Sequence, residues 1–244
     1  MSNHVFKNHC INFGEILNTT SLADMLKTVE KHAKTEEAKL RVNFANYKDY
    51  EEDEWCASYF GMFVEWLSEH WLNHYGPIDW NIHGVNMNDS VGNINEDYGV
   101  DGEGLTLAPK KMASTGRMPV TNSPVYIQVK GVKYKNRGKE HQPNDGSRLP
   151  NFCTNAMATA MRNGHAYQAR YIVFTTAKGI HYSTDKMSRE MIEVIGHKDI
   201  SKAMDDDIVF LNILRKDAGL PLIPVSVAPM DAEAVMIHRQ LGVD

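Results

Sequence analysis

The sequence predicts an α/β (α+β) domain with a mixed central β-sheet flanked by helices. Three observations carry this. Two long segments with helical spacing of apolar residues open the chain. Two apolar, β-rich runs, "VYIQV" and "ARYIVFTTA", follow much later. Helix and strand signals then alternate to the end, an order that suits a sheet covered by helices.

The elements follow in order. Ser21 to about Phe44 reads as a helix: Ser21 and Asp24 form a candidate capping pair, and Leu22, Met25, Leu26 and Val29 make an apolar stripe. Residues 1–50 are read as an N-terminal helical appendage. Trp55 to about His74 is the strongest helix, with Tyr59, Phe60, Phe63, Trp66 and Leu67 at helical spacing and Gly76-Pro77 as its stop. Asn81–Gly104, rich in Gly, Asn and Asp, is expected to be mostly loop and turn. Val125–Val129 is a strand, Val132–Pro150 a polar loop, and Asn155–Asn163 a short helix. Ala169–Ala177 is a buried strand, Thr184–Val194 a helix candidate, and "EVIG" a candidate short strand. Asp205–Ala218 is a helix ended by Gly219, and Asp231–Leu241 a terminal helix whose acidic start suits the helix dipole.

Composition narrows the class. The chain has 244 residues, long enough for a sizeable core without metals or disulfides. Three widely spaced cysteines (Cys10, Cys56 and Cys153) suggest neither a disulfide framework nor a zinc knuckle, so a reducing cytoplasm is expected. The opening residues lack the apolar core of a signal peptide, and no apolar run reaches the roughly 20 residues of a membrane span. The net charge of −5 argues against non-specific coating of nucleic acid, but it hides an asymmetry. Pro109–Arg148 holds nine Lys or Arg against two acids, a local balance of +7 that leaves −12 for the rest. An acidic body with one basic segment suggests a local anionic partner; a solvated lysine loop is the competing explanation.

Common catalytic signatures are missing. There is no Walker phosphate loop and no G-x-S-x-G elbow, and "GVDGEG" lacks dinucleotide spacing. His70 and His74 have the i, i+4 spacing of a metal pair, but "HWLNH" lacks the glutamate of H-E-x-x-H, and helix-surface histidines explain it more simply.

What remains is the acid-rich turn "NEDYGVDGEGL", with Asp97, Asp101 and Glu103, and the strand that follows it. A carboxylate at a strand end can hold a hard cation such as Mg²⁺ through oxygen. On a strand, Gln128 and Lys130 project from one face and Val129 from the other. If the strand of Asp101 pairs with this one, Asp101, Gln128 and Lys130 converge. Such a trio suits phosphodiester cleavage: the cation polarises the phosphate and lowers the pKa of a bound water, while lysine stabilises growing negative charge. The competing explanation is an exposed lysine and an ordinary turn aspartate.

"YGVDGEG" followed by "VYIQVKG" resembles the PD-(D/E)XK nuclease superfamily, especially its restriction-endonuclease-like (Mrr-like) domains. The pattern is an aspartate in a G-[IV]-D-G turn, then a strand bearing [EQ]-x-K. "FGMFVEWLSEHWLNHYG" is similar to the first helix of such domains, and "ARYIVFTTAKGIHYSTDKM" with "VIGHKDISKAMDDD" to later parts of nuclease domains at the N-termini of some predicted helicases. The resemblance spans about Trp55–Asn212 and implies a nuclease domain over residues 51–244.

The resemblance implies roles. Asp101 is the expected metal ligand, Lys130 the catalytic lysine, Gln128 the second ligand position and Glu65 an auxiliary ligand, with the Val129 carbonyl completing the shell. The departure is Gln128, where many members carry Glu; a neutral ligand weakens Mg²⁺ binding, and Glu65 or Glu103 can compensate. Lys133, Lys135, Arg137, Lys139 and Arg148 are the expected phosphate contacts, Asn136, Gln142, Asn144 and Arg137 candidates for base edges, and Tyr134 more simply a packing residue than a stacking one. The expectation is a Mg²⁺-dependent (Mn²⁺ possible) endonuclease of restriction, homing or mobile-element type that acts on double-stranded DNA as a homodimer. A catalytically weak or inactive nucleic-acid-binding protein of the same fold stays open, as does an RNA or single-strand nuclease.

Overall fold

The computed structural model describes residues 11–43, 52–87, 100–106, 123–132, 138–141, 156–158, 160–161, 169–180 and 192–225. Helices α1 (Phe13–Ile16), α2 (Leu22–Asn43) and α3 (Glu52–Tyr75) come first, and a π-helical turn (Gly76–Trp80) closes α3. Strands β1 (Ile82–Met87), β2 (Gly102–Thr106), β3 (Pro124–Lys130), β4 (Glu140–His141), β5 (Arg170–Thr175), β6 (Gly179–Ile180) and β7 (Ile192–Ile195) follow. Helices α4 (His197–Met204) and α5 (Ile208–Asp217) come last.

The main sheet is mixed, with order β1-β2-β3-β5-β7. β1 to β3 pair antiparallel, while β3, β5 and β7 run parallel. β4 and β6 make a separate parallel pair. Strand alternation sorts β3 and β5 onto two faces. Val125, Ile127 and Val129 join Ile172 and Phe174 in the core beneath α2, α3 and α5. Tyr126, Tyr171 and Val173 lie in a second cluster with Ala156, Ala160, Ile180 and Ile192. The α2 stripe of Leu22, Met25, Leu26, Val29 and Ala33 is buried in the same core as α3.

Polar contacts fix how the helices meet. The Ser21 carbonyl opens α2 by accepting from Met25 N–H (3.0 Å), and Asp205 Oδ1 accepts from Leu22 N–H (2.8 Å), so the cap is shared with the end of α4. Asp217 accepts from the Trp66 indole (2.9 Å) and lies 3.2 Å from His70 Nε2. Asp207 caps α5 through Phe210 N–H (2.9 Å) and accepts from the Tyr75 hydroxyl (2.7 Å). His74 stacks on Phe210. The histidine pair thus serves the α3–α5 contact. Arg170, buried in β5, makes a bidentate pair with Glu193 of β7 and donates to the Trp80 carbonyl.

Four expectations need correction. Asn81–Gly104 is not mostly loop, because β1 and β2 occupy 82–87 and 102–104 of it. In β1 a bulge between His83 and Asn86, with Gly84 at φ 61°, shifts the inward phase, so Ile82, Val85 and Met87 are buried without strict alternation. In β2 the inward positions belong to Gly102, Gly104 and Thr106, which show no apolar signal. The Val132–Pro150 loop contains β4; the Thr184–Val194 helix candidate gives way to strand β7 from Ile192; and the helix expected from Asp205 begins at Ile208, with α4 ahead of it. Residues 184–191 and the Asp231–Leu241 segment lie outside the described residues.

Burial works against the Asp207 carboxylate, but the Phe210 N–H, the Tyr75 hydroxyl, the Val209 N–H and His74 together hold its pKa below the usual range. A depressed folded pKa contributes stability above the unfolded value that is lost as pH falls through the folded one. Asp207→Ala is therefore expected to cost about 1–2 kcal/mol in urea denaturation at neutral pH. The difference from wild type should shrink in acid.

Candidate active site

The site is built where β2 leaves β3. The antiparallel register runs Leu105↔Pro124 to Gly102↔Ile127, and Asp101 N–H still donates to the Ile127 carbonyl (2.9 Å). Asp101 thus holds Ile127 through its backbone and Val129 through its carboxylate, the two residues that flank Gln128. One residue further along β3 the backbone partner is gone. The Asp101 carboxylate replaces it, accepting from Val129 N–H through Oδ2 (2.5 Å). In an extended strand the N–H and C=O of one residue point to the same side. The Val129 carbonyl therefore emerges at the same fork.

Gln128 and Lys130 share the face of Tyr126, opposite to Val129. Gln128 is 2% exposed, while Lys130 is half-buried at the strand end. The end of β3 is pinned from β5. Thr175 Oγ1 donates to the Lys130 carbonyl (2.8 Å), and Thr176 Oγ1 accepts from Val132 N–H (2.8 Å). Sequence reasoning passed over these threonines; the "TT" closing a buried strand was their only signal.

Glu65 comes from α3, on the opposite side of the sheet from Gln128 and Lys130. Two partners locate it. Asn73 brackets Val85 of β1 with two hydrogen bonds (2.7 and 2.9 Å), and Glu69 accepts from Met87 N–H (3.1 Å). One helical turn toward the N-terminus advances about 6 Å, matching about two strand residues. Glu65, the next residue of this i, i+4 row, thus falls about two strand residues past the level of Met87. Because Met87 pairs with Gly102, that level is the level of Val100, one residue beyond Asp101. Gly131 brings α3 close here: a Cβ on it would lie 2.9 Å from Phe60 Cδ1 and 3.2 Å from Val64 Cγ2. Glu65 can therefore reach the Asp101 site only around the open fork, since the sheet separates it from Gln128 and Lys130.

The candidate ligands, the Asp101 carboxylate, the Val129 carbonyl, the Gln128 amide and the Glu65 carboxylate, all offer oxygen, the donor type that Mg²⁺ and Mn²⁺ take. Among the described residues no three His, Cys, Asp or Glu side chains are grouped to hold a metal ion. The candidate set draws instead on two carboxylates, an amide and a backbone carbonyl. Glu103 lies two residues along β2 on the same face as Asp101, and it is exposed. Of the expected phosphate contacts, Lys139 is described and exposed. Asp97, Lys133, Tyr134, Lys135, Asn136, Arg137, Gln142, Asn144 and Arg148 lie outside the described residues.

Gly131→Ala is expected to cost about 1–3 kcal/mol in thermal or urea denaturation, because the added methyl meets the Phe60 ring under the end of β3. Gly138→Ala, which meets no atom within 4 Å, is the matched control. Comparisons with protein-family models, with curated proteins and with solved structures find no match for this chain.

Proposed function

We propose that the chain is a metal-dependent endonuclease that hydrolyses phosphodiester bonds in double-stranded DNA and acts as a homodimer. The observation that carries this is the fork at Asp101. A carboxylate at the end of β2 spans to the N–H of Val129, the residue between Gln128 and Lys130. Its placement agrees with the PD-(D/E)XK resemblance of "YGVDGEG" and "VYIQVKG".

Asp101 and the Val129 carbonyl would hold Mg²⁺ or Mn²⁺, with Gln128 and Glu65 as further oxygen donors. The bound ion would lower the pKa of a water and polarise the phosphate. The chain supplies the rest. Asp101 carries the charge of the site, and its bond to Val129 keeps the fork open at a fixed width. Lys130, at the half-exposed strand end, would place an ammonium beside the phosphate oxygens and stabilise the charge that grows there. Thr175 and Thr176 hold the backbone from Lys130 to Val132 and so set the reach of that ammonium.

A nucleic-acid-binding protein of the same fold that does not cleave is the second reading. The burial of Gln128 favours it, because a ligand amide must meet solvent-borne substrate. Cleavage decides between them. Purified protein is expected to cut duplex DNA with Mg²⁺ or Mn²⁺ and to stop with EDTA. Asp101→Ala and Lys130→Ala should each lower cutting by at least about 100-fold while the far-ultraviolet spectrum stays native. Cutting at wild-type rates by both variants sinks the assignment, and DNA binding without cutting by the wild type selects the second reading.

A further inference from the structure

Strands β3, β5 and β7 are parallel and so end at one edge of the sheet, the edge of the Asp101 fork. Each end leads to a lysine. Lys130 closes β3, Lys178 lies just past β5, and Lys198 is the second residue of α4, directly after β7. Lys139 joins from the start of β4, and its carbonyl accepts from Lys178 N–H (3.0 Å). Lys139, Lys178 and Lys198 are all exposed.

The backbone holds these lysines together. His197 N–H donates to the Ala177 carbonyl (2.7 Å), and a Cβ on Gly196 would lie 2.6 Å from the Lys178 carbonyl oxygen. Only glycine allows α4 to start this close to the Lys178 turn. Of the described acids nearby, Asp199 accepts from Gly196 N–H (2.9 Å) and Glu193 pairs with Arg170, while Glu140 is exposed beside Lys139. Adjacent strands lie about 4.8 Å apart, so the rim from β3 to β7 spans about 10 Å. That is enough to meet neighbouring phosphates of one strand.

We infer that Lys139, Lys178 and Lys198 form a phosphate track for the nucleic-acid strand leaving the Asp101 fork. This deepens the nuclease reading and rests on it. The track extends the contact surface beyond the 133–148 segment to two elements with no basic run in sequence. Its lysines touch backbone phosphates, so they set position and affinity without reading bases.

The test is fluorescence anisotropy with a labelled DNA duplex, with Ca²⁺ replacing Mg²⁺, over a salt series. The proteins are wild type, K178E/K198E, the milder K178Q/K198Q, and K34E, an exposed lysine of α2, as control. Losing two phosphate contacts should lower the slope of log affinity against log salt by about 2. Affinity should fall at least about tenfold for K178E/K198E and less for K178Q/K198Q, with K34E unchanged and all melting curves alike. Wild-type affinity and slope in both double variants overturn the track. So does wild-type binding to phosphatidylserine vesicles with none to DNA. If the track variants behave as expected and the wild type never cleaves, the track stands and the nuclease reading falls. If the wild type cleaves and the variants bind normally, the track alone falls.

Discussion

The packing of α3 against the sheet is the constraint on which the rest of the structure depends. Phe63, Val64, Leu67 and Trp71 are buried in the core beneath β3 and β5, and Trp71 meets Phe174 edge-on. Its flank holds the irregular edge strand: Glu69 and Asn73 satisfy the backbone of β1 where the bulge and Gly84 disturb pairing. Its C-terminal half meets α5 through Trp66, His70, His74 and Tyr75, each tied to Asp217, Asp207 or Phe210. One helix therefore supports both the centre of the sheet and the edge strand beside the place where β2 departs from β3.

That departure gives the candidate site its form. An unpaired buried N–H costs about 1–3 kcal/mol, so the fork needs an acceptor where β2 ends. Asp101 supplies it with a carboxylate rather than a backbone carbonyl, which brings a negative charge to the edge of the sheet. The same bond that completes the β3 ladder therefore positions the ligand proposed for the cation. The parallel strands contribute the opposite charge, because their ends lead to Lys130, Lys178 and Lys198. An acidic fork beside a basic rim is an arrangement that can hold a cation and a polyanion together.

Much of this was legible in the residues. α2, α3 and β5 follow the apolar spacing of the sequence, and β3 follows "VYIQV". Gln128 and Lys130 share a face because strand alternation demands it. Other parts could not be read. β1 hides behind a bulge, and β2 places glycines where a strand normally shows apolar side chains. Those glycines make room for the Val85 and Met87 side chains, a tertiary reason with no local signal. The role of Asp101 as acceptor for Val129, the threonine pins and the gathering of Lys178 and Lys198 all depend on strand order, which one sequence does not display. The separation of Glu65 from Gln128 by the sheet is likewise a fact of layers, not of spacing.

The central claim is that the Asp101 fork binds a divalent cation through oxygen. A crystal grown with Mn²⁺, with anomalous scattering measured at the manganese edge, tests it most directly. The account predicts one strong peak about 2–2.5 Å from the Asp101 carboxylate and the Val129 carbonyl. A peak elsewhere on the chain with none at the fork, or no peak at saturating Mn²⁺, would contradict it.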